Sequence, residues 1–132
     1  MRPTPRARHG PHSDRGSATI EVAVALPIVM LLLMLVVQAG VYFHTRAVAT
    51  TAAHKGLDAL RVEEGSVPAA RAATEGFLDR NAPALDARTV DVARTGDIAE
   101  VTVSGDVVSL IFGADLFPVR VTAVAPIEQV TP

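Results

Sequence analysis

Residues 17–43 read SATIEVAVALPIVMLLLMLVVQAGVYF, and from Val22 to Thr45 no side chain carries a fixed charge. At ~1.5 Å of rise per residue, a helix of this run crosses a hydrocarbon core of about 30 Å. Thirteen of its positions are Val, Leu, Ile or Phe. At about −0.3 to −0.6 kcal/mol each, they favour insertion by roughly −4 to −8 kcal/mol. Pro27, Gln38 and Gly40 subtract from that sum, but a lone amide is far cheaper in a bilayer than a charge. The segment is predicted to be a single transmembrane helix.

Working outward, the flanks differ in sign. Residues 1–16 carry Arg2, Arg6, Arg8 and Arg15 against Asp14, a balance of +3, whereas residues 44–132 balance at −4. Arg46 is the only fixed positive charge close behind the span. This asymmetry places the N-terminus in the cytoplasm and the acidic region outside it. The leader, rich in Pro and Arg and without an apolar period, is expected to be disordered, its arginines acting as a topology signal. A cleavable secretory signal is the competing reading, since Ala47-Val48-Ala49 matches an A-x-A site. A signal's apolar region is usually about 7–15 residues, however, and this one is longer.

At the junction stands Arg15-Gly16-Ser17-Ala18-Thr19-Ile20-Glu21. It resembles the type IV prepilin class, and the longer stretch RGSATIEVAVALPIVMLLLMLVVQAG is similar to the TadE-like family of tight-adherence (Flp) pilus assembly proteins. The resemblance covers roughly residues 15–60. It implies that a prepilin peptidase cuts between Gly16 and Ser17 on the cytoplasmic side. It also implies that Glu21, fifth when Ser17 is counted as first, pairs with the new α-amine of a neighbouring subunit and sets helix register. Val22 departs from the Phe or Tyr common at that place. Physical chemistry gives Glu21 a reason to matter, because a carboxylate at the edge of hydrocarbon needs a partner or must neutralise. The alternative is that it sits in the first helical turn, where the macrodipole favours an anion. Pro27 removes the amide that would donate to the carbonyl of Ala23, which predicts a kink.

Beyond the span, Val48, Ala52, Gly56 and Leu60 recur every four residues with Leu57 beside them, so the helix continues as an amphipathic element to about Glu64. Gly65 is a stop, and Ser66 with Pro68 starts a second, short helix to about Arg80. After Pro83 the period becomes two. Val90 and Val92, then Ala99, Val101 and Val103, form strands around a Thr95-Gly96-Asp97 turn, and Val119, Val121 and Ala123 form a third. Val107 to Phe112 reads as a strand extension or a short helix. The fold class is α+β: a transmembrane helix extended by an amphipathic one, a second short helix, and a small three-stranded antiparallel sheet, pilin-like by resemblance. The divisions are a leader over 1–16, the span over 17–43 and an extracytoplasmic region over 44–132.

Absences narrow the function. The chain has no Cys, which excludes disulfides, thiolate metal sites and Cys nucleophiles. It has no HExxH, G-x-S-x-G or phosphate-binding glycine loop. His9 and His12 lie in the leader, and His54 with Asp58 has no nearby Ser to complete a nucleophile arrangement. Glu63 and Glu64 read as a solvated helix end. We expect no enzyme, cofactor, metal, nucleic acid or small-molecule substrate. The implied partners are the lipid bilayer, other pilus assembly subunits and a prepilin peptidase. The expected function is that of a single-pass pseudopilin or minor pilin in the cytoplasmic membrane, assisting pilus assembly. The alternatives are a membrane-anchored binding or regulatory module and a small secreted protein with a signal peptide.

Overall fold

The structure is a computed structural model that describes Met1 and residues 14–62, 65–111 and 117–127. Among them it forms two helices, α1 over Asp14–Arg61 and α2 over Val67–Asn81, followed by strands β1 over Leu85–Thr95, β2 over Ile98–Val107 and β3 over Phe117–Pro126. The expected α+β class and element order are met. Two compact units divide the chain, Met1–Met34 and Leu35–Pro132.

Among its described residues the first unit contributes helix from Asp14 onward, and those from Gly16 onward are exposed throughout. The second has its own core. Along α1 the buried positions are Gln38, Thr45, Ala49, Ala52, Ala53, Gly56, Leu57 and Leu60, spaced by threes and fours as one helix face requires. Ala49 and Ala53 lie deeper in this face than Val48, the residue that the four-residue spacing picks out, and Val48 is only half-buried. Short side chains let neighbouring elements come close. At Gly56 an added Cβ would overlap Thr74 of α2 and lie 3.2 Å from the Val101 methyls of β2, so three elements meet over a hydrogen atom.

Ser66 caps α2, its hydroxyl accepting from the Ala69 amide at 3.3 Å, and Pro68 sits in the first turn, where its missing N–H is no loss. Ala70, Thr74 and Leu78 form the buried stripe of α2. Thr74 is satisfied there by donating to the Ala70 carbonyl at 2.9 Å, which removes the penalty of a buried hydroxyl.

The sheet is an antiparallel meander in the order β1-β2-β3. Its first turn is Gly96-Asp97, closed by the Thr95↔Ile98 pair, with Gly96 at φ +58°. A positive φ at the first of two turn residues is what a type II′ hairpin requires, and Gly supplies it without strain. The amide of Ile127 donates to the Asp97 carbonyl at 2.6 Å, tying the end of β3 back to this turn.

One irregularity changes which residues face inward. Between the pairs Asp86↔Asp106 and Thr89↔Ser104 the register shifts, so Ala87 and Arg88 together oppose the single residue Gly105. This is a β-bulge, and the extra residue inverts the parity of β1: Leu85 faces the core before it, Val90 after it. Ala87 adopts φ +46° there. The bulge also presents Arg88 to Asp79 of α2, with which it forms an ion pair. Sequence alternation places the start of β1 near Val90, and the observed start at Leu85 lies on the other side of the bulge. The stretch from Val108 to Ile111 is neither strand extension nor helix. Its backbone partners are instead side chains and a neighbouring loop. Phe112, Glu63 and Glu64 lie outside the described residues.

Candidate functional site: the exposed apolar length of the first helix

Fourteen large apolar side chains between Ile20 and Val37 are exposed, from 40% at Met34 to 70% at Val36. The most hydrophobic window of this helix has a mean hydropathy of 2.8, and none of it is buried. A continuous apolar surface of this extent is far larger than the few hundred Å² a soluble monomer tolerates, and it covers all sides of the helix. This matches a helix surrounded by lipid. It does not match a core helix, whose apolar side chains would be buried by neighbouring elements.

The residues singled out at its start fall within α1. Gly16, Ser17 and Glu21 are exposed, and an added Cβ at Gly16 would meet nothing within 4 Å. Counting Asp14 as the first residue of α1, Glu21 is the eighth. It therefore lies past the first turn, where the macrodipole effect on a side chain has largely faded. That weakens the helix-dipole account of this carboxylate. Pro27 lies inside α1, which continues through it. The helix tolerates such a residue when the freed carbonyl finds another partner. Arg2, Arg6 and Arg8 lie outside the described residues, as does the side chain of Arg15.

At the far end of the apolar run the helix becomes part of the second unit, and here the structure shows a feature that sequence reading treated only as a cost. Gln38 is 4% exposed. Its Nε2 donates to the Val108 carbonyl at 3.3 Å, and its Oε1 accepts from the Leu110 amide at 2.7 Å. One carboxamide thus supplies a donor and an acceptor to one loop, as a neighbouring strand would, and its burial is compensated. Above it, Tyr42 packs edge-to-face on Phe43 and on Phe117, with ring centroids 5.7 and 6.4 Å apart. Between these groups lies an apolar pocket of about 300 Å³ lined by Leu35, Gln38, Ala39, Tyr42, Phe43, Ile111 and Phe117. No periodicity in the sequence could have found the Gln38 tether, because its partners are 70 and 72 positions away.

Elsewhere the chemistry is sparse. His54 and Asp58 are both exposed on α1, with no hydrogen bond between them. Among the described residues there is no group of three or more His, Cys, Asp or Glu placed to hold a metal. The ion pair of Arg88 with Asp79 has side chains 34% and 60% exposed and reads as a surface contact of about 0–1 kcal/mol.

Compared with known proteins, residues 16–58 match the family described as TadE-like protein, which supports assigning the chain to that family. No curated protein and no solved structure matches it. The matched range begins at the junction glycine, takes in the exposed apolar length, and extends past the buried Ala49, Ala52, Ala53 and Gly56 of α1.

Proposed function

We propose, from the TadE-like match over residues 16–58, that the chain is a tight-adherence pilus-related protein and, more specifically, a single-pass pseudopilin or minor pilin that assists pilus assembly. The observation that carries the reading is the wholly exposed apolar length of α1 inside the matched range. A filament subunit of this kind is stored in the membrane by such a helix, and the same helix can later pack against its neighbours. The basic residues before the span put the N-terminus in the cytoplasm and the sheet outside. Protease added to spheroplasts should digest a tag placed after Pro132. Protection of that tag until lysis would overturn the orientation. Deleting the gene should abolish surface pili while the major pilin is still made, and normal filaments by electron microscopy would overturn the role.

Processing belongs to the same proposal. A peptidase needs an extended strand at its scissile bond, and Gly16 in the opening turns of α1 lowers the helix's resistance to unwinding by about 1 kcal/mol relative to Ala. Removal of residues 1–16 would leave Ser17 with a cationic amine and bring Glu21 to the fifth position, one turn away. In an assembled bundle that amine and a neighbour's Glu21 would neutralise each other in a low-dielectric setting. Gly16→Leu should therefore block removal of the leader. Glu21→Ala should leave insertion intact and impair assembly. Mass spectrometry of the membrane-extracted protein decides the first point: a mature start at Met1 despite an active peptidase overturns processing, and a cut near Ala49 establishes a secretory signal instead.

A further inference from the structure

The connection leaving β2 is built in an unusual way for a surface loop. Val108 and Leu110 are exposed at 36% and 41%, yet the backbone around them is largely spoken for. The Val108 amide donates to the Ala84 carbonyl at 3.1 Å, the Val108 carbonyl and the Leu110 amide are held by Gln38, and the Ile111 amide donates to the Ser109 hydroxyl at 3.2 Å. That hydroxyl in turn donates to the Ile111 carbonyl. Five of the eight backbone N–H and C=O groups of residues 108–111 thus have partners within the chain, which lowers the cost of carrying the exposed apolar side chains into a medium without water.

Its height along α1 is set by Gln38. Taking the hydrocarbon to begin after Glu21, the last charge before the run, about 20 residues at ~1.5 Å each span the ~30 Å core and end near Val41. Gln38 is then within one turn of the outer boundary, and Tyr42 and Phe43 stand at the level where aromatic side chains gather at membrane interfaces. The pocket beside Gln38 is walled almost wholly by carbon, and both ends of the Gln38 carboxamide are engaged by the loop. At about 300 Å³ it falls at the lower end of ligand cavities, which run about 300–1,000 Å³.

We propose that Val108 to Ile111 form a second membrane contact, dipping into the outer leaflet beside α1, and that the pocket Ile111 makes with Leu35, Ala39, Tyr42 and Phe117 holds a phospholipid acyl chain. The loop fixes the sheet at the membrane surface, and Gln38 is the positioning residue that sets its depth. This rests on α1 spanning a bilayer, and the test separates the two. Because the chain has no cysteine, Leu31→Cys, Thr95→Cys and Leu110→Cys each give a single spin-labelling site in the full chain, reconstituted into phosphatidylcholine–phosphatidylglycerol vesicles. Collisions with oxygen and with a water-soluble nickel complex then report depth. Labels at Leu31 and Leu110 should both be shielded from nickel and open to oxygen, with the reverse at Thr95. Adding Gln38→Leu should restore nickel access at Leu110 and leave Leu31 unchanged. A Leu110 label as accessible to nickel as Thr95, with Leu31 still shielded, overturns the loop contact and spares the span. Nickel access at Leu31 overturns the span itself. For the occupant, native mass spectrometry of the full chain released from lipid nanodiscs should show a retained phospholipid that is lost in Ala39→Phe, which fills the pocket. A bare monomer, or a dimer that Ala39→Phe dissociates, overturns the lipid assignment.

Discussion

Two lengths of α1 use apolar residues in opposite ways. Between Ile20 and Val37 the apolar side chains are mostly large and all exposed, whereas between Thr45 and Leu60 the buried ones are mostly Ala and Gly. A hydropathy scale ranks the first length far above the second. In water the order of burial would follow that ranking; its reversal is consistent with a single-pass membrane anchor, in which the large side chains would meet lipid while the small ones let protein approach. Leu57 and Leu60 are the exceptions. They sit at the end where α1 covers the core, and burying each contributes about 1.5–3 kcal/mol.

The most severe way to break this contrast is to charge the first length. Leu31→Arg combined with Leu33→Arg adds about 5–7 kcal/mol to insertion at roughly 2.5–3.5 kcal/mol per arginine, enough to cancel the favourable sum of the span. The double variant should be lost from carbonate-washed membranes, appearing in the soluble fraction or being degraded. The same pair of charges at Ala47 and Thr51, both exposed on the second length, should leave membrane retention unchanged. Retention of both variants would mean that the exposed leucines are not in lipid.

A smaller effect separates two glycines of the same helix. An added Cβ at Gly56 runs into Thr74 and lies 3.2 Å from Val101, while at Gly40 it meets nothing within 4 Å. Gly56→Ala should therefore destabilise the detergent-solubilised chain by about 1–3 kcal/mol. Gly40→Ala should stabilise it by up to about 1 kcal/mol through helix propensity alone. Guanidinium unfolding followed by the fluorescence of Tyr42, the single tyrosine of a chain without tryptophan, reads both. Thr74→Ala should recover part of the Gly56→Ala loss, since the two sites share one contact. Equal effects at Gly40 and Gly56 would remove the packing account of the second length.

Much of this was legible in the sequence because the relevant signals are local. The uncharged run, the four-residue spacing through Leu60, the Ser66 and Pro68 start of α2 and the period-two strands around Gly96 each occupy one short window. What escaped is either weak or distant. Ala49 and Ala53 carry little hydrophobic contrast, so the face of α1 is broader than the spacing of Val48, Ala52 and Gly56 implies. The bulge at Ala87 has no glycine or asparagine to announce it, and by inverting parity it hides Leu85 from an alternation count. Gly105 is comprehensible only in space, where a Cβ would stand 2.8 Å from the Asp86 carbonyl oxygen. Gln38, which a linear reading treats as a cost, is satisfied by a loop that no local pattern connects to it. At the candidate site, the long apolar helix could be read directly, but the tether and pocket could not.

The bulge offers the finest test, because it sets two positive-φ residues of one hairpin against each other. Gly96 occupies φ +58° and Ala87 φ +46°. For a side-chain-bearing residue the left-handed region costs roughly 1–2 kcal/mol, and glycine escapes this while adding about 0.5–1 kcal/mol of unfolded-state entropy to be lost on folding. The two terms oppose each other at Ala87. Ala87→Gly should then stabilise the chain by under about 1 kcal/mol, a rise of at most a few degrees in the thermal midpoint. Gly96→Ala adds the strain and should lower stability by about 1 kcal/mol. The outcome that would reverse this account is a loss at Ala87→Gly as large as that at Gly96→Ala. The bulge would then depend on the Ala87 methyl itself, and the strained backbone would be held by packing that outweighs the strain. Asp79→Asn, which breaks the exposed pair with Arg88, separates the remaining contribution. It should shift the midpoint less than either backbone variant, and high salt should erase the difference.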